Sequence, residues 1–258
     1  MSFRLGLWFF LFFMCALSSA AVPNSCRSVL QSEATVSARL QREIEDARAV
    51  VSGNNFVTTR SLIEYKMKLH PDFSVELSRL GPEQTWMDLG GGRGIAVEQF
   101  LRDFPDPKRA PHVVLVSYRL GFLRRVPDFE GRFRVFKGRY WESIPQHEIP
   151  RVDLVTDVFG VLSYTHDLSL SLQKVFDSLI VGGHLFLHAT DYITRIRDGS
   201  QVLGLTAFLS TIKGLEVEGQ YGILKIKKTQ EKILVPKLNL VGLENGERPA
   251  VRIFDRAQ

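Results

Sequence analysis

Residues 85–94 have the sequence TWMDLGGGRG, in which an apolar segment ends in a carboxylate and continues directly into alternating glycines. Glycines at alternate positions let the backbone turn with positive φ and approach a ligand closely, because no Cβ stands in the way. Residues 95–101 follow as a predicted helix, whose free N-terminal amides and positive dipole end face the same ligand. The stretch therefore predicts a strand, a nucleotide-binding loop and a helix.

The spacing of these glycines distinguishes between nucleotide-binding motifs. The dinucleotide motif Gly-x-Gly-x-x-Gly/Ala, started at Gly90 or Gly92, places its last position on Ile95 or Val97. A phosphate-binding P-loop ends in Gly-Lys-Ser/Thr, which this loop lacks. Neither motif fits, and the dinucleotide mismatch disfavours a nicotinamide oxidoreductase. Glycines that serve only the packing of a strand-to-helix turn are an alternative.

The pattern that does fit is acidic-x-Gly-x-Gly-x-Gly. It resembles the first motif of class I S-adenosylmethionine-dependent methyltransferases, with Asp88, Gly90, Gly92 and Gly94 in the matching positions. The methionine end of that ligand is a zwitterion beside a sulfonium. A loop for this ligand therefore accommodates a cationic molecule and has no triphosphate to bind.

Apolar, β-branched segments separated by helical patterns follow along the chain, and they predict a parallel sheet covered on both faces. The predicted strands are residues 112–117, 133–136, 152–157 and 184–188. Two segments resemble later motifs of the same family: residues 153–160 the fourth-strand segment, and residues 179–185 the Gly-Gly turn before the fifth strand. Between them, residues 168–179 have the spacing of a crossover helix.

The resemblance covers most of residues 62–228 and implies a Rossmann-like, doubly wound α/β fold. It implies a mostly parallel seven-stranded sheet with an antiparallel last strand, preceded by N-terminal helices. Residues 215–218 and 223–226 alternate apolar with polar and predict the last pair of strands. Residues 232–236 predict a further edge strand that ends at its proline.

The predicted organisation has three parts: a signal peptide in residues 1–20, a helical extension in residues 21–70 and the α/β domain in residues 71–258. In the extension, residues 29–51 have apolar positions at helical spacing and predict an amphipathic helix. A second helical stretch contains Arg60, Glu64 and Tyr65. In the resembling enzymes this upstream region often folds over the cofactor, and a solvated helix with routine ion pairs is the alternative.

The resemblance implies S-adenosylmethionine as cofactor and assigns its binding to Asp88, Gly90, Gly92, Gly94, Ser117, Arg139 and Asp157. Two of these positions depart from the family pattern. The second strand usually ends in a carboxylate that accepts both ribose hydroxyls, where this chain has Ser117. A glycine after the third strand is often followed by an aspartate that accepts from the adenine amine, where this chain has Arg139. Each lost charge-assisted hydrogen bond costs about 1.5–3 kcal/mol, so weaker cofactor binding is expected.

Methyl transfer is an in-line displacement at an activated carbon, so positioning supplies most of the reduction of the barrier. A general base near the end of the fourth strand would serve a hydroxyl or amine acceptor, and the candidates are Asp157, Tyr164 and His166. A helix N-cap or turn role is the alternative for Asp157. The acceptor is expected to be a small molecule, a lipid or a protein. A non-catalytic binding module on the same fold is the alternative function.

The N-terminal residues have the pattern of a secretory signal peptide. One positive charge in residues 1–4 precedes an apolar run at residues 5–17 and small residues at 18–21. The run is shorter than the about 20 apolar residues that span a bilayer, and an uncleaved anchor is the alternative. The expected location is therefore secreted, periplasmic or envelope, with membrane contact only if the segment stays uncleaved. After cleavage only Cys26 remains, so no intramolecular disulfide is expected.

Neither nucleic acid nor metal is expected as a ligand. The net charge of +5 is scattered, its basic clusters are short, and no basic face with interleaved aromatics is evident. His184 and His188 have the spacing that places both on one face of a strand, close to Asp191. Three such residues could ligate zinc, but satisfied polar groups at the end of a buried strand explain them as well.

Overall fold

The computed structural model describes residues 60–117, 131–189, 193–244 and 251–257. The predicted signal peptide, the amphipathic helix at residues 29–51, Cys26 and Asp191 lie outside these ranges. The proposed domain boundaries at residues 20 and 70 stay predictions. Within the described ranges, no helix has the length and apolar character needed to span a bilayer.

The described part of the chain contains eleven strands: β1 (Thr85–Leu89), β2 (His112–Ser117), β3 (Phe133–Lys137), β4 (Val152–Val158), β5 (Leu179–His188), β6 (Thr194–Asp198), β7 (Gln201–Gly204), β8 (Leu215–Gln220), β9 (Ile223–Lys228), β10 (Leu238–Glu244) and β11 (Val251–Arg256). Seven of them form the main sheet, in the order β3-β2-β1-β4-β5-β9-β8. Strands β1 to β5 are parallel, and β9 runs antiparallel to both β5 and β8. This arrangement confirms the predicted seven-stranded, mostly parallel sheet with an antiparallel last strand.

The same part of the chain contains six α-helices: α1 (Leu62–Lys68), α2 (Phe73–Arg79), α3 (Ile95–Arg102), α4 (Val161–Tyr164), α5 (Leu168–Ser178) and α6 (Leu205–Ser210). They cover both faces of the main sheet. Successive side chains of a strand point to opposite faces, so neighbouring residues of β1 contact different helices. Trp86 packs in the core beneath α1, α2 and α3, whereas Met87 and Leu89 pack in the core beneath α5 and α6.

The sequence patterns did not predict a second sheet, which has four strands in the order β10-β11-β6-β7. Strand β11 is parallel to β6 and antiparallel to β10. Ile196, Leu238 and Phe254 from this sheet are buried in the same core as Met87 and Leu89 of the main sheet. The C-terminal strands thus extend the core of the α/β domain.

Two details differ from the sequence-based expectations. Residues 232–236 form no strand, so the predicted edge strand is wrong. This segment is held instead by the side chain of Gln173, which donates to the Ile233 carbonyl at 2.9 Å and accepts from the Val235 amide at 3.0 Å. Strand β5 begins at Leu179 and includes the predicted Gly-Gly turn, which forms an irregularity in its register with β4.

Candidate functional site

Most predicted site residues lie at or just after the carboxyl ends of β1 and β4, whereas Ser117 ends β2 and Arg139 follows β3. Strands β1 and β4 are neighbours in the main sheet, and the strand order reverses between them. In open α/β sheets, ligands bind in the crevice outside the carboxyl ends of the strands at such a reversal. We refer to the region formed by Asp88, Asp157, the loop at residues 90–94 and the loop at residues 159–160 as the switch-point site.

The glycine loop has the backbone that its sequence predicts. Gly90, Gly92 and Gly94 all have positive φ, at 69°, 57° and 75°. A Cβ on Gly90 would lie 2.6 Å from the Cα of Gly160, so the loops after β1 and β4 pack backbone against backbone. Gly94 is the N-cap residue before α3, and no described side chain caps the first turn of that helix. The glycines therefore serve both a tight turn and a close approach between two loops.

Asp88 is fully buried at the end of β1. Its carboxylate accepts from the Tyr65 hydroxyl at 3.0 and 3.1 Å and from the Thr156 hydroxyl at 2.8 Å. Tyr65 comes from α1, which starts with a capping box between Ser61 and Glu64. Burial raises the pKa of Asp88 to about 7, although both hydroxyl donors act in the opposite direction.

Asp157 is fully buried at the end of β4, one residue before the strand ends. Its two carboxylate oxygens accept from the amides of Gly160 at 2.7 Å and Leu162 at 2.8 Å. Burial raises the pKa of Asp157 to about 6, and these two backbone amides limit the rise. The carboxylate thus holds the turn into α4, which is the structural alternative expected from the sequence.

Ser117 and Arg139, the two positions that depart from the family pattern, both have partners within the protein. The buried Ser117 hydroxyl donates to the carbonyl of Gly92 and so fastens the glycine loop to the end of β2. Arg139 forms a two-pronged ion pair with Glu148, at 2.6 and 3.3 Å. The guanidinium therefore binds a carboxylate beyond the end of β3.

Tyr164 and His166 follow the turn that Asp157 holds. Tyr164 ends α4 and is 40% exposed, and His166 lies half-buried between α4 and α5. Burial raises the pKa of Tyr164, the charge of Asp157 acts in the same direction, and the charge of Arg60 opposes it. Since the phenol stays protonated at neutral pH, Tyr164 suits a hydrogen-bond donor better than a general base.

Two side chains that were not among the predicted site residues, those of Arg60 and Phe159, also lie at the switch-point site. Arg60 donates to the Val158 carbonyl at 2.9 Å and lies 5.3 Å from the ring centre of Phe159. Its positive charge lowers the pKa of both Asp88 and Asp157. Phe159 has a positive φ of 50°, and its ring centre is 4.2 Å from that of His188. The sequence signalled these residues only through the upstream helical stretch, which often folds over the cofactor in the resembling enzymes, and through the fourth-strand motif at residues 153–160.

The switch-point site is a place of buried negative charge. Among the described residues, neither Asp88 nor Asp157 forms a direct ion pair. The guanidinium of Arg60 influences both carboxylates at longer range, and that of Arg252 influences Asp157. Asp88 is the register partner of Thr156 and Leu89 that of Asp157, so the two acids are offset by one residue at the ends of adjacent strands. Asp157 also raises the pKa of Asp88.

Metal binding gains no support from the two strand histidines. His184 lies 3.9 Å from Glu76, and His188 stacks on Phe159. Within the ranges that the structure covers, no three His, Cys, Asp or Glu side chains come together as ligands.

Comparison with solved structures finds methyltransferases among the similar folds. CalO1, a methyltransferase in calicheamicin biosynthesis in its S-adenosylhomocysteine-bound form, is 18% identical with a TM-score of 0.35, over 58% of this chain and 50% of CalO1. MNMC2 from Aquifex aeolicus is 14% identical with a TM-score of 0.41, over 67% of this chain and 62% of MNMC2. The 1,6-didemethyltoxoflavin-N1-methyltransferase of Burkholderia thailandensis is 16% identical with a TM-score of 0.39, over 81% of this chain and 92% of that enzyme.

The matched region thus spans half of CalO1 and about three fifths of MNMC2. No protein-family model and no curated protein matches the chain. Likeness at this level leaves the choice of ligand to the chain's own residues.

Proposed function

We propose that this protein is an S-adenosylmethionine-dependent methyltransferase, with the cofactor at the switch-point site. The observation that carries the proposal is the pair of buried carboxylates, Asp88 and Asp157, beside a glycine loop with three positive φ angles. Burying a carboxylate without a direct cationic partner is unfavourable, and the raised pKa values of both groups express this. A cationic ligand would relieve that cost, which favours an ammonium or sulfonium compound over a phosphate.

The residues around the carboxylates suit a ligand with an amino-acid end. Asp88 and Asp157 retain oxygen lone pairs that can accept from an ammonium group. Arg60 has donors beyond the one that binds Val158, and a guanidinium pairs well with a carboxylate. S-adenosylmethionine offers both groups and supplies an activated methyl group. In this assignment the backbone of Gly90 to Gly94 accommodates the ligand, and Ser117 stands beside the ribose.

The acceptor side of the proposed site follows β4. Tyr164 is the exposed group next to the turn that Asp157 holds, and its protonated phenol orients an acceptor oxygen or nitrogen. Asp157, with a pKa near 6, is charged at neutral pH and is the proton acceptor in this proposal. In this proposal the acceptor is a small molecule, a lipid or a protein, and the signal pattern of residues 1–20 supports an exported or envelope enzyme.

A binding module without catalysis is the second candidate, and one observation favours it. The polar side chains assigned to the cofactor already have partners within the protein: Tyr65 and Thr156 for Asp88, the α4 turn for Asp157, Gly92 for Ser117 and Glu148 for Arg139. A site that satisfies its own polar groups needs no cofactor to be stable. In this case the same surface would bind another ligand or a protein partner.

Thermal unfolding with a panel of ligands tests the proposal. A ligand that binds only the folded state at 100 times its Kd stabilises by about 2.7 kcal/mol. We expect S-adenosylmethionine and S-adenosylhomocysteine to raise Tm, whereas NAD and ATP leave it unchanged. A rise in Tm with NAD alone would contradict the proposal. So would an unchanged Tm with all four ligands at millimolar concentration.

A further inference from the structure

Arg252 is a buried arginine that reaches from the second sheet to the turn after β4. It lies on β11 and is 3% exposed. Its guanidinium donates to the carbonyl of Thr165 at 2.6 Å and to the carbonyl of Leu162 at 2.9 Å. A third bond, at 2.6 Å, goes to the hydroxyl of Thr194 on the neighbouring strand β6. The side chain therefore fastens α4 to the second sheet.

Helix α4 depends on such outside support. It has four residues, and a single turn is too short to hold itself together in water. Its last carbonyls have no partner inside the helix, so they need donors from elsewhere. Arg252 supplies these donors for Leu162 and Thr165. The position of the turn thus depends on a residue about 90 positions away in the sequence.

Leu162 connects this arginine to the switch-point site. Its amide donates to the Asp157 carboxylate at 2.8 Å, and its carbonyl accepts from Arg252 at 2.9 Å. One peptide segment is therefore held between an acid of the main sheet and a cation of the second sheet. The positive charge of Arg252 also lowers the pKa of Asp157.

We infer that Arg252 is a positioning residue of the switch-point site, which holds the α4 turn against Asp157. The inference rests on the proposed function, because it assigns Arg252 a role in that same site. Its guanidinium stays charged at neutral pH, although burial lowers the pKa of Arg252 to about 10.

The hydrogen-bond partners of Arg252 differ from those of two other arginines in the second sheet. Loss of the Arg252 guanidinium would leave the buried carbonyls of Leu162 and Thr165 without this donor, which is costly. Two other arginines of the second sheet bind exposed carboxylates of that same sheet, Arg197 with Asp255 and Arg256 with Asp198. Arg252 instead turns toward the carbonyls of α4 and has no direct carboxylate partner among the described residues. Its Nε also lacks a hydrogen-bond partner there.

The test uses the full chain with three substitutions. Arg252→Met removes the charge and the hydrogen bonds, Arg252→Lys keeps the charge but cannot bind two carbonyls in the same way, and Arg256→Gln is the matched control on the same strand. The readouts are the pKa of Asp157, from the NMR titration of ¹³C-labelled aspartate carboxyls, and the hydrogen exchange of the Gly160 and Leu162 amides. An Asp157→Asn spectrum assigns the carboxyl signal.

We expect Arg252→Met to move the pKa of Asp157 upward from about 6 and to speed exchange of both amides by about tenfold. Arg252→Lys should speed the exchange but leave the pKa closer to that of the parent chain. Arg60, Asp88, Tyr164 and Glu142 also face these two groups and stay unchanged in every variant. Arg256→Gln should alter neither readout.

The inference would be overturned if the Arg252→Met chain folds and has the same Asp157 pKa and the same Gly160 and Leu162 exchange rates as the Arg256→Gln control. Where that chain does not fold, the exchange rates of Arg252→Lys decide in the same way. Both readouts are measured without ligand, so they test the positioning role of Arg252 even if the proposed cofactor does not bind. Titration of the same variants with S-adenosylhomocysteine then shows separately whether the site serves that ligand, with weaker binding expected for Arg252→Met and Arg252→Lys.

Discussion

Asp88 is the residue at which the sequence motif and the structure agree most closely, and its chemistry is unusual. A carboxylate at the end of an apolar strand would ordinarily reach solvent, but Asp88 is fully buried beneath Tyr65. Its pKa of about 7 lies above the usual 3.8, mainly because burial disfavours the charged form. The folded protein therefore holds a proton at Asp88 in a pH range where the unfolded chain does not.

Replacement of Asp88 by Asn should change how stability depends on pH. Because the folded-state pKa is raised, the folded protein binds more protons between pH 3.8 and about 7, and stability falls as pH rises through that window. Asp88→Asn removes this contribution. From pH 6 to pH 8, the free energy of unfolding of the variant should gain about 1.4 kcal/mol relative to the parent chain, measured by urea titration. Equal pH dependence in the two chains would show that Asp88 titrates near its ordinary value.

Two glycines with similar φ separate backbone strain from steric contact. Gly90 and Gly138 have φ of 69° and 65°, but a Cβ on Gly90 meets the Gly160 backbone and a Cβ on Gly138 meets nothing within 4 Å. Gly138→Ala should cost about 1–2 kcal/mol from strain alone. Gly90→Ala should cost about 1–3 kcal/mol more, because one of the two loops must move. Urea unfolding of both variants measures the difference, and equal losses would mean that the two loops part easily.

The sequence located the glycines, Asp88 and Asp157, but it did not give the partners of Ser117 and Arg139. The glycine spacing and the apolar strand before it are local patterns, so ten residues are enough to predict the loop and its position. Ser117 bonds to the Gly92 carbonyl and Arg139 to Glu148 only because the fold brings these groups together. Such partners depend on tertiary structure and leave no local signal.

At the level of elements, α1 is a short helix with a defined task. Its capping box fixes the first turn, and Tyr65 is its buried residue. Seven residues form too short a helix to be stable alone, so packing on the main sheet must supply most of its stability. The bond from Tyr65 to Asp88 is the polar part of that packing.

Removal of the Tyr65 hydroxyl should therefore destabilise the protein in a pH-dependent way. Tyr65→Phe leaves a buried carboxylate short of a donor, and this should cost about 1–3 kcal/mol at pH 8, where Asp88 is charged. The cost should be smaller at pH 6, where the carboxyl is mostly protonated. Tyr221→Phe is the control, because Tyr221 is 82% exposed. A loss that is the same at both pH values would place the effect in packing alone.

Elements with a strong period were found from sequence, and those without one were not. The strands with apolar β-branched runs, such as β2 and β4, lie where the pattern predicts them. Residues 232–236 also contain a short apolar run, but they form no strand, and the Gln173 side chain binds the Ile233 carbonyl and the Val235 amide instead. The second sheet brings together strands from residues 194–204 and 238–256, and its short, mixed sequences give no indication of that pairing.

At the scale of the whole molecule, the strand order reverses between β1 and β4. Two acids, a glycine loop and Arg60 lie together at the carboxyl ends of these two strands. A cationic ligand bound there should lower the pKa of both carboxylates and release protons. Its affinity should therefore rise by at least about tenfold from pH 5 to pH 7, through the range set by pKa values of about 6 and 7. Calorimetry at pH 6 in two buffers of different ionisation enthalpy measures the released protons, and proton uptake would contradict a cationic ligand.

The most direct test of the central claim is calorimetric titration of the full chain with S-adenosylhomocysteine and S-adenosylmethionine. Asp88→Ala and Gly92→Val are the site variants, and Gly138→Ala, which also alters a glycine of positive φ but lies after β3, is the control. We expect saturable binding to the parent chain and to Gly138→Ala, and its loss in the two site variants. Absence of saturable binding up to millimolar ligand would contradict the proposed methyltransferase and leave the binding module as the function of this fold.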